Sequence, residues 1–446
     1  MIHIFILPLI LAGELSAFTW KDGHVSLEGR DVNNRIGLYQ EFRMNFEMMP
    51  NENVKVLFSA GDYVRRLEEA DDIDDIRFLF WTADLIFVYK KDIYIGIGDR
   101  YLNYSPYTIR MEPWNDNIFR GLFVRYASDR YGLEFDGFLG LHAESTNRIK
   151  FNGEYLRTDI GFQNKYYINK IQTEIPTIWG AFSLTETWNG HFRTRLIYVR
   201  ENYSQERPVT GFITYYFFNN HIFQTIFSYD WEKKISLEMQ PALMIRNYSK
   251  YNGFGDYYGS GKHKLVMDYE SSALVPSGEV KLSMNSLLPY PLLSGSFSAA
   301  YRYVDERYNP VHMDDGRLSE DRGEDFLDDI LLGEKGVILN TEQPVLKDHF
   351  WGVEYREFVN ILEQKRYFER RYFFRQVLND RFSLLGMFFD KSGYLSDQGT
   401  LPDINGLIVR LEGPVLEDLN VQLWLVENTG NVMNKNEVFI KVLFSF

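Results

Sequence analysis

The sequence has no cysteine, so disulfides and thiolate metal sites are both excluded. It also lacks any apolar run approaching the ~20 residues that a membrane-spanning helix requires. If the chain meets a membrane, it does so with strands. Positive charge is in short supply: 48 lysines and arginines stand against 62 aspartates and glutamates, a formal net charge of −14. That balance argues against a nucleic-acid partner, which needs a basic face. No Pro/Ser-rich linker and no shift in composition divides the 446 residues, so one large unit is the simpler organisation.

What the chain does have is aromatic residues and alternation. Phe, Trp and Tyr make up 16% of it, while the mean hydropathy is only −0.30. Apolar residues facing lipid and polar ones facing a lumen average out in this way in a transmembrane barrel. The last ten residues show the pattern most sharply. Val438, Ile440, Val442, Phe444 and Phe446 share one parity, with Lys441 and Ser445 on the other. This is a β-strand with one very apolar face. In a closed barrel the last strand pairs with the first and its apolar face meets lipid, which covers the face and removes the edge together.

The same period recurs along the chain. In Arg35 to Met48, the residues Ile36, Leu38, Phe42, Met44, Phe46 and Met48 lie opposite Glu41, Arg43, Asn45 and Glu47. Turns at Pro50–Asn53 and Lys90–Asp92 alternate with longer polar stretches at Arg65–Asp75 and Leu102–Asn117. Barrels of the outer membrane keep short turns on one side and long loops on the other. Further strands are predicted over Leu156–Tyr166, Ile171–Ala181, Val209–Phe218 and Ile222–Asp230, among others, for a tally of about 18 to 22. Tyr63, Tyr89, Tyr126, Tyr166, Tyr229 and Trp231 recur near strand ends and suit interfacial girdles. The fold class expected is all-β: a transmembrane antiparallel up-and-down β-barrel with long extracellular loops.

Two stretches fall outside this pattern. Residues 1–17 read as an export signal, with an apolar core from Ile4 to Leu11 and small residues before a cut after Ala17, although no Lys or Arg precedes the core. Residues 18–446 then form the barrel. Residues 304–348 read as a long acidic loop carrying Asp314, Asp315, Asp328 and Asp329, with a short helix around Phe326 to Leu331. It suits a constriction or plug, or an external structure.

If the apolar parity faces lipid, then Glu41, Arg43, Glu47, Asp84, Glu134, Asp136, Arg193 and Arg195 point into the lumen. Arg366, Arg370, Arg371 and Arg375 sit on one strand and cannot all share a face; Arg371 and Arg375 are assigned to the lumen. Opposed charges on the wall of a water-filled passage favour polar solutes. No catalytic residue is assigned, because His142, Glu144 and Ser145 in one loop show no nucleophile held by a base and an orienting group. The acidic run from Asp71 to Asp75 has no EF-hand spacing, and no metal or other cofactor is expected.

On its signal-like start, its hairpin pattern and its terminal Phe446, the chain resembles Gram-negative outer-membrane β-barrel proteins. The resemblance implies a bacterial outer-membrane location, assembly by the barrel insertion machinery, outer-membrane lipids and lipopolysaccharide as surroundings, and a porin-like role for small polar solutes. A plugged structural or adhesive surface barrel and an outer-membrane barrel hydrolase are the alternatives.

Overall fold

The computed structural model describes residues 18–32, 35–51, 53–67, 76–102, 104–109, 118–128, 130–142, 149–151, 179–188, 190–209, 212–254, 264–285, 295–305, 307–308, 333–346, 348–361, 366–378, 381–392, 395–396, 399–400, 404–416, 419–430 and 435–445. The described residues form strands joined by turns and irregular segments, with no helix among them. In chain order the first strands are β1 (Phe18–Val32), β2 (Arg35–Asn51), β3 (Val54–Leu67), β4 (Ile76–Tyr89), β5 (Ile93–Tyr101), β6 (Ile118–Ser128), β7 (Leu133–His142) and the short β8 (Ile149–Phe151). There follow β9 (Trp179–Trp188), β10 (Phe192–Val209), β11 (Phe212–Trp231), β12 (Ile235–Phe254), β13 (Lys264–Asn285), β14 (Ser296–Val304), β15 (Glu334–Leu346), β16 (His349–Asn360), β17 (Arg366–Leu378) and β18 (Phe382–Ser392). The two-residue β19 (Leu395–Ser396) and β20 (Gly399–Thr400) precede β21 (Ile404–Leu416), β22 (Leu419–Gly430) and β23 (Lys435–Ser445).

Leaving aside β8, β19 and β20, twenty strands pair antiparallel with their chain neighbours. β7 pairs directly with β9, and β23 with β1, in a register running from His24 opposite Ser445 to Val32 opposite Glu437. The pairing returns to its start, which removes the exposed edges of an open sheet. Turn chemistry accounts for the short connections. Lys90 and Lys91, and again Glu232 and Lys233, are consecutive positive-φ residues, the backbone of a tight hairpin whose twist matches its strands.

Alternation along each strand sorts the side chains. Ile97, Leu122, Phe223, Leu274, Tyr372 and Phe444 are exposed on the outer face, while their neighbours in sequence turn inward. A continuous apolar outer surface of this extent does not persist in water and meets lipid. Tyr89, Trp188, Tyr229 and Trp231 are exposed at the short-turn end of the belt, where a barrel carries an aromatic girdle. Crossing the bilayer takes about 9–11 tilted residues per strand. β5, β7, β9 and β14 match that, whereas β11, β12 and β13 run to 20–22 residues and rise past the belt on the long-loop side.

Three features depart from expectation. The break predicted between Phe218 and Ile222 does not occur, because β11 continues through it. Asn220 turns inward to donate to Glu201 at 2.7 Å, and Asn219 stays in register between Asn202 and Asn247, so the backbone ladder is unbroken. The acidic loop is also shorter than 304–348, since Glu334–Leu346 is strand β15. Its Val337 and Leu339 face outward while Glu334, Asn340 and Glu342 find lumenal partners, so its charges did not mark a loop. β1, β13 and β14 complete the ring where no strand was predicted. The strand predicted at Leu156–Tyr166, most of that at Ile171–Ala181 and the helix around Phe326 lie outside the described residues, as do residues 1–17.

Candidate functional site: a lumen crossed by a tethered loop

After β5 the chain turns into the lumen. Ser105, Pro106, Tyr107 and Thr108 make a β-turn closed by the Thr108 N–H donating to the Ser105 carbonyl at 3.2 Å, with Pro106 at the position whose fixed φ favours it. Tyr104 N–H donates to the Ile109 carbonyl at 2.8 Å, so the segment is a miniature hairpin. Leu102, Tyr104, Tyr107 and Ile109 are buried against the inward faces of β6 to β13, including Phe119, Phe123, Phe138, Ile197 and Met244. The wall is shaped for this. Gly98, Gly121 and Gly140 stand in one cross-strand row on the inner face, and the Phe123 ring lies over Gly96, where an added Cβ would sit 2.0 Å from it.

Polar tethers fix the loop along its length. The Arg195 guanidinium donates to the Tyr104 carbonyl at 2.9 Å and stacks 5.7 Å from the Tyr104 ring centroid, while the Tyr104 hydroxyl donates to Asp136 at 3.2 Å. The Ser105 hydroxyl donates to Gln224, and the Tyr107 hydroxyl reaches Glu279 on β13 at 3.3 Å. A second segment closes over the first. Following β14, the Tyr308 N–H donates to the Asp305 carbonyl at 3.0 Å, and the fully buried Tyr308 donates its hydroxyl to the Tyr107 carbonyl at 2.8 Å. Burial drives the ionisation of both Tyr107 and Tyr308 far above the ordinary tyrosine value, so both stay neutral donors.

Across the lumen wall from β13 to β17 runs a chain of ion pairs. Arg302 donates to Glu279 at 2.9 Å and reaches Glu334 at 3.5 Å, and Glu334 also accepts from Tyr367. Arg356 pairs with Glu354 at 2.6 Å, and Arg371 with Glu354 at 3.1 Å and Glu369 at 2.5 Å. Nearer the short-turn end, Arg375 pairs with Glu342. Pairing at this density keeps buried charges satisfied in a wall of low dielectric.

The residues singled out in sequence divide into groups. Arg43 donates to Asp84 at 2.8 Å and to Ser59 at 3.0 Å, and Glu47 pairs with Lys55 at 2.6 Å, so these lie together on β2, β3 and β4. Asp136 and Arg195 hold the inward loop. Glu134 and Arg193 face each other at 3.9 Å and are over half exposed. Arg371 and Arg375 share the inner face of β17, whereas Arg366 and Arg370 take the outer one. The Glu41 and His142 side chains, and Glu144, Ser145, Asp314, Asp315, Asp328, Asp329 and the run Asp71–Asp75, lie outside the described ones. Sequence reasoning missed Tyr104, Ser105, Tyr107, Ile109 and Tyr308. A usable signal was present: Leu102, Tyr104, Tyr107 and Ile109 make that loop too apolar to face water.

Scanned against protein-family models the chain matches none, and no curated protein matches it. Among solved structures it is similar to Pseudomonas aeruginosa OccK11 (OpdR), at 10% identity and a TM-score of 0.47 over 96% of this chain and 95% of that one. It is also similar to the Pseudomonas aeruginosa outer membrane protein OpdK, at 9% identity and 0.47 over 95% and 98%. OccK3 (OpdO) of the same organism gives 9% and 0.46 over 95% of each. The fold assignment above rests on this chain's own strand pairings, and the functional argument below on its own side chains.

Proposed function

We propose that the chain is a porin-like channel of the bacterial outer membrane, passing small polar solutes through a lumen narrowed by the loop from Leu102 to Ile109. The observation that carries this is a closed ring, apolar outside and charged inside, crossed by a hairpin tethered to five strands through Asp136, Arg195, Gln224 and Glu279 and to Phe119 and Phe123 by packing. Glu41, Arg43, Glu47, Glu134, Arg193 and Arg375 are the wall charges a solute would meet, Asp84 and Arg371 lie buried beneath them and hold Arg43 and Glu354 in place, and Asp314, Asp315, Asp328 and Asp329 would add to the constriction. Asp136 and Arg195 act by holding the loop. The chain works without catalysis. Residues 1–17 act as an export signal, the insertion machinery assembles the barrel, and lipopolysaccharide surrounds it.

Single-channel conductance in a planar bilayer tests this reading. The intact protein is compared with a variant whose residues 104–109 are replaced by Gly/Ser of equal length. Small steady steps from the intact protein and steps several times larger from the variant are expected. Current from the variant alone would make the barrel a plugged one. A correctly inserted protein silent in both forms would remove the channel reading.

A further inference from the structure

The residues that follow β14 lie over the inward loop on its long-loop side, and Asp305, Arg307 and Tyr308 act there as a strap. The strap is stiffened from within. The Asp305 carboxylate accepts from the Arg307 N–H at 2.9 Å and from its guanidinium at 3.1 and 3.2 Å, and the Tyr308 N–H donates to the Asp305 carbonyl at 3.0 Å. Three contacts fasten it to its surroundings. The Asp305 N–H donates to the Pro276 carbonyl of β13 at 3.4 Å, the Tyr308 hydroxyl to the Tyr107 carbonyl at 2.8 Å, and Arg246 of β12 to the Arg307 carbonyl at 3.1 Å.

The registers place Arg246 on the inner face, in one row with Glu201 and Asn220. The next row toward the short turns, Val199, Ile222 and Met244, is the apolar floor under the inward loop. The Arg246 guanidinium rests 4.9 Å from the Phe218 ring centroid, and that ring packs 5.2 Å from Tyr248, so the side chain is already aimed at the strap. Its role differs from that of Arg302, Arg356 and Arg371. Those three pair with wall carboxylates, whereas the hydrogen bond that Arg246 makes goes to the strap.

The three fastenings are unequal. Asp305 continues the ladder between β13 and β14 beyond the pair of Ser277 with Val304, so freeing it would fray β14. Tyr308 is fully buried and caps Tyr107, whose own hydroxyl reaches Glu279 in the wall, so Tyr107 is enclosed between wall and strap. The Arg246 bond is the exposed one, and water competes for both of its partners, so it is the easiest of the three to open. We propose that Arg246 is a positioning residue that latches the strap, and that the loop from Leu102 to Ile109 leaves the wall only after Arg246 lets go and Tyr308 lifts. This rests on the channel reading and adds the order in which its constriction opens.

The chain has no cysteine, so one introduced thiol reports on one place. Thr108→Cys puts it at a fully buried position of the loop, and its modification by a small charged methanethiosulfonate is followed by mass in the folded full chain in detergent. Added to it, Arg246→Met and Tyr308→Phe should each raise the rate about fivefold, which corresponds to about 1 kcal/mol, the worth of one hydrogen bond. Arg200→Gln, on the outer face of β10, should leave the rate unchanged. Planar-bilayer recordings of the same changes without Thr108→Cys should show wild-type conductance levels, with excursions to the wider level about five times as frequent, and an unchanged urea midpoint. A wild-type modification rate in Arg246→Met, or a shift of every conductance level together with the urea midpoint, would overturn the latch. The recordings decide where Thr108→Cys itself disturbs the loop. Absence of current from every form would remove the channel reading, and the modification rates would then still decide the latch.

Discussion

The two sides of the lumen wall solve the same problem in opposite ways. From β6 to β13 a loop folds onto the inner face so that Phe119, Ile197 and Met244 are covered by Tyr104, Tyr107 and Ile109, and the polar residues Asp136, Arg195 and Gln224 tether it. From β13 to β17 it carries Arg302, Arg356 and Arg371 interleaved with Glu279, Glu334, Glu354 and Glu369, which satisfy one another directly. Tyr107 joins the two, since its ring packs with the first side and its hydroxyl meets Glu279 at the border of the second. An inward wall therefore has to be either packed or paired, and the choice made by each strand decides where a passage can run.

The largest effect should come from breaking the paired side. Arg302→Met leaves Glu279 and Glu334 without their shared cation and is expected to destabilise the folded barrel by about 3 kcal/mol, because a lone buried charge costs more than the pair contributed. Urea unfolding in detergent measures this, and adding Glu334→Gln should restore part of the loss. Arg193→Gln is the contrast. Its pair with Glu134 is long and over half exposed, so stability should change by no more than about 0.5 kcal/mol.

The packed side is tested at Gly96. Gly96→Ala drives a methyl into the Phe123 ring and should cost about 1–3 kcal/mol as overpacking, with a looser loop and noisier current. Gly386→Ala, where nothing lies within 4 Å, should be near neutral by the same assay.

The smallest effect links the two sides through pH. Burial raises the Tyr107 ionisation most, with Arg302 opposing and Glu279 and Glu334 adding to the rise. The docked phenol keeps its proton where a released one loses it, so docking is constant below about pH 10 and weakens as pH climbs beyond it. Conductance should be flat from neutral to mildly alkaline pH and rise only above that point; Tyr107→Phe should reduce this rise, and adding Tyr308→Phe should remove it. An increase beginning near neutrality would mean that another group controls the loop.

Legibility in the sequence followed the same division. The outer face was readable wherever alternation was clean, as in Arg35–Met48 or the terminal strand, because lipid imposes one chemistry on every second residue. It failed at β15, where Glu334, Asn340 and Glu342 mimic a loop, and at Asn219-Asn220-His221, which mimics a turn. In both places polar side chains find partners across the wall, and a single strand's sequence does not display its neighbours. Alternation assigned Asp136 and Arg195 to the lumenal parity, but their attachment to the loop depends on Tyr104, which is 32 and 91 residues away in the chain.

By itself, then, the sequence pointed to the class of architecture: a period of two with one apolar parity, repeated between turns and with aromatics near the strand ends, suits strands whose outer faces meet lipid and whose edges close. The tertiary structure decided what fills the inside. Which loop enters, which arginine is paired and which faces outward depend on registers between strands and on contacts as distant as Tyr107 with Tyr308, and a local pattern carries no information about either.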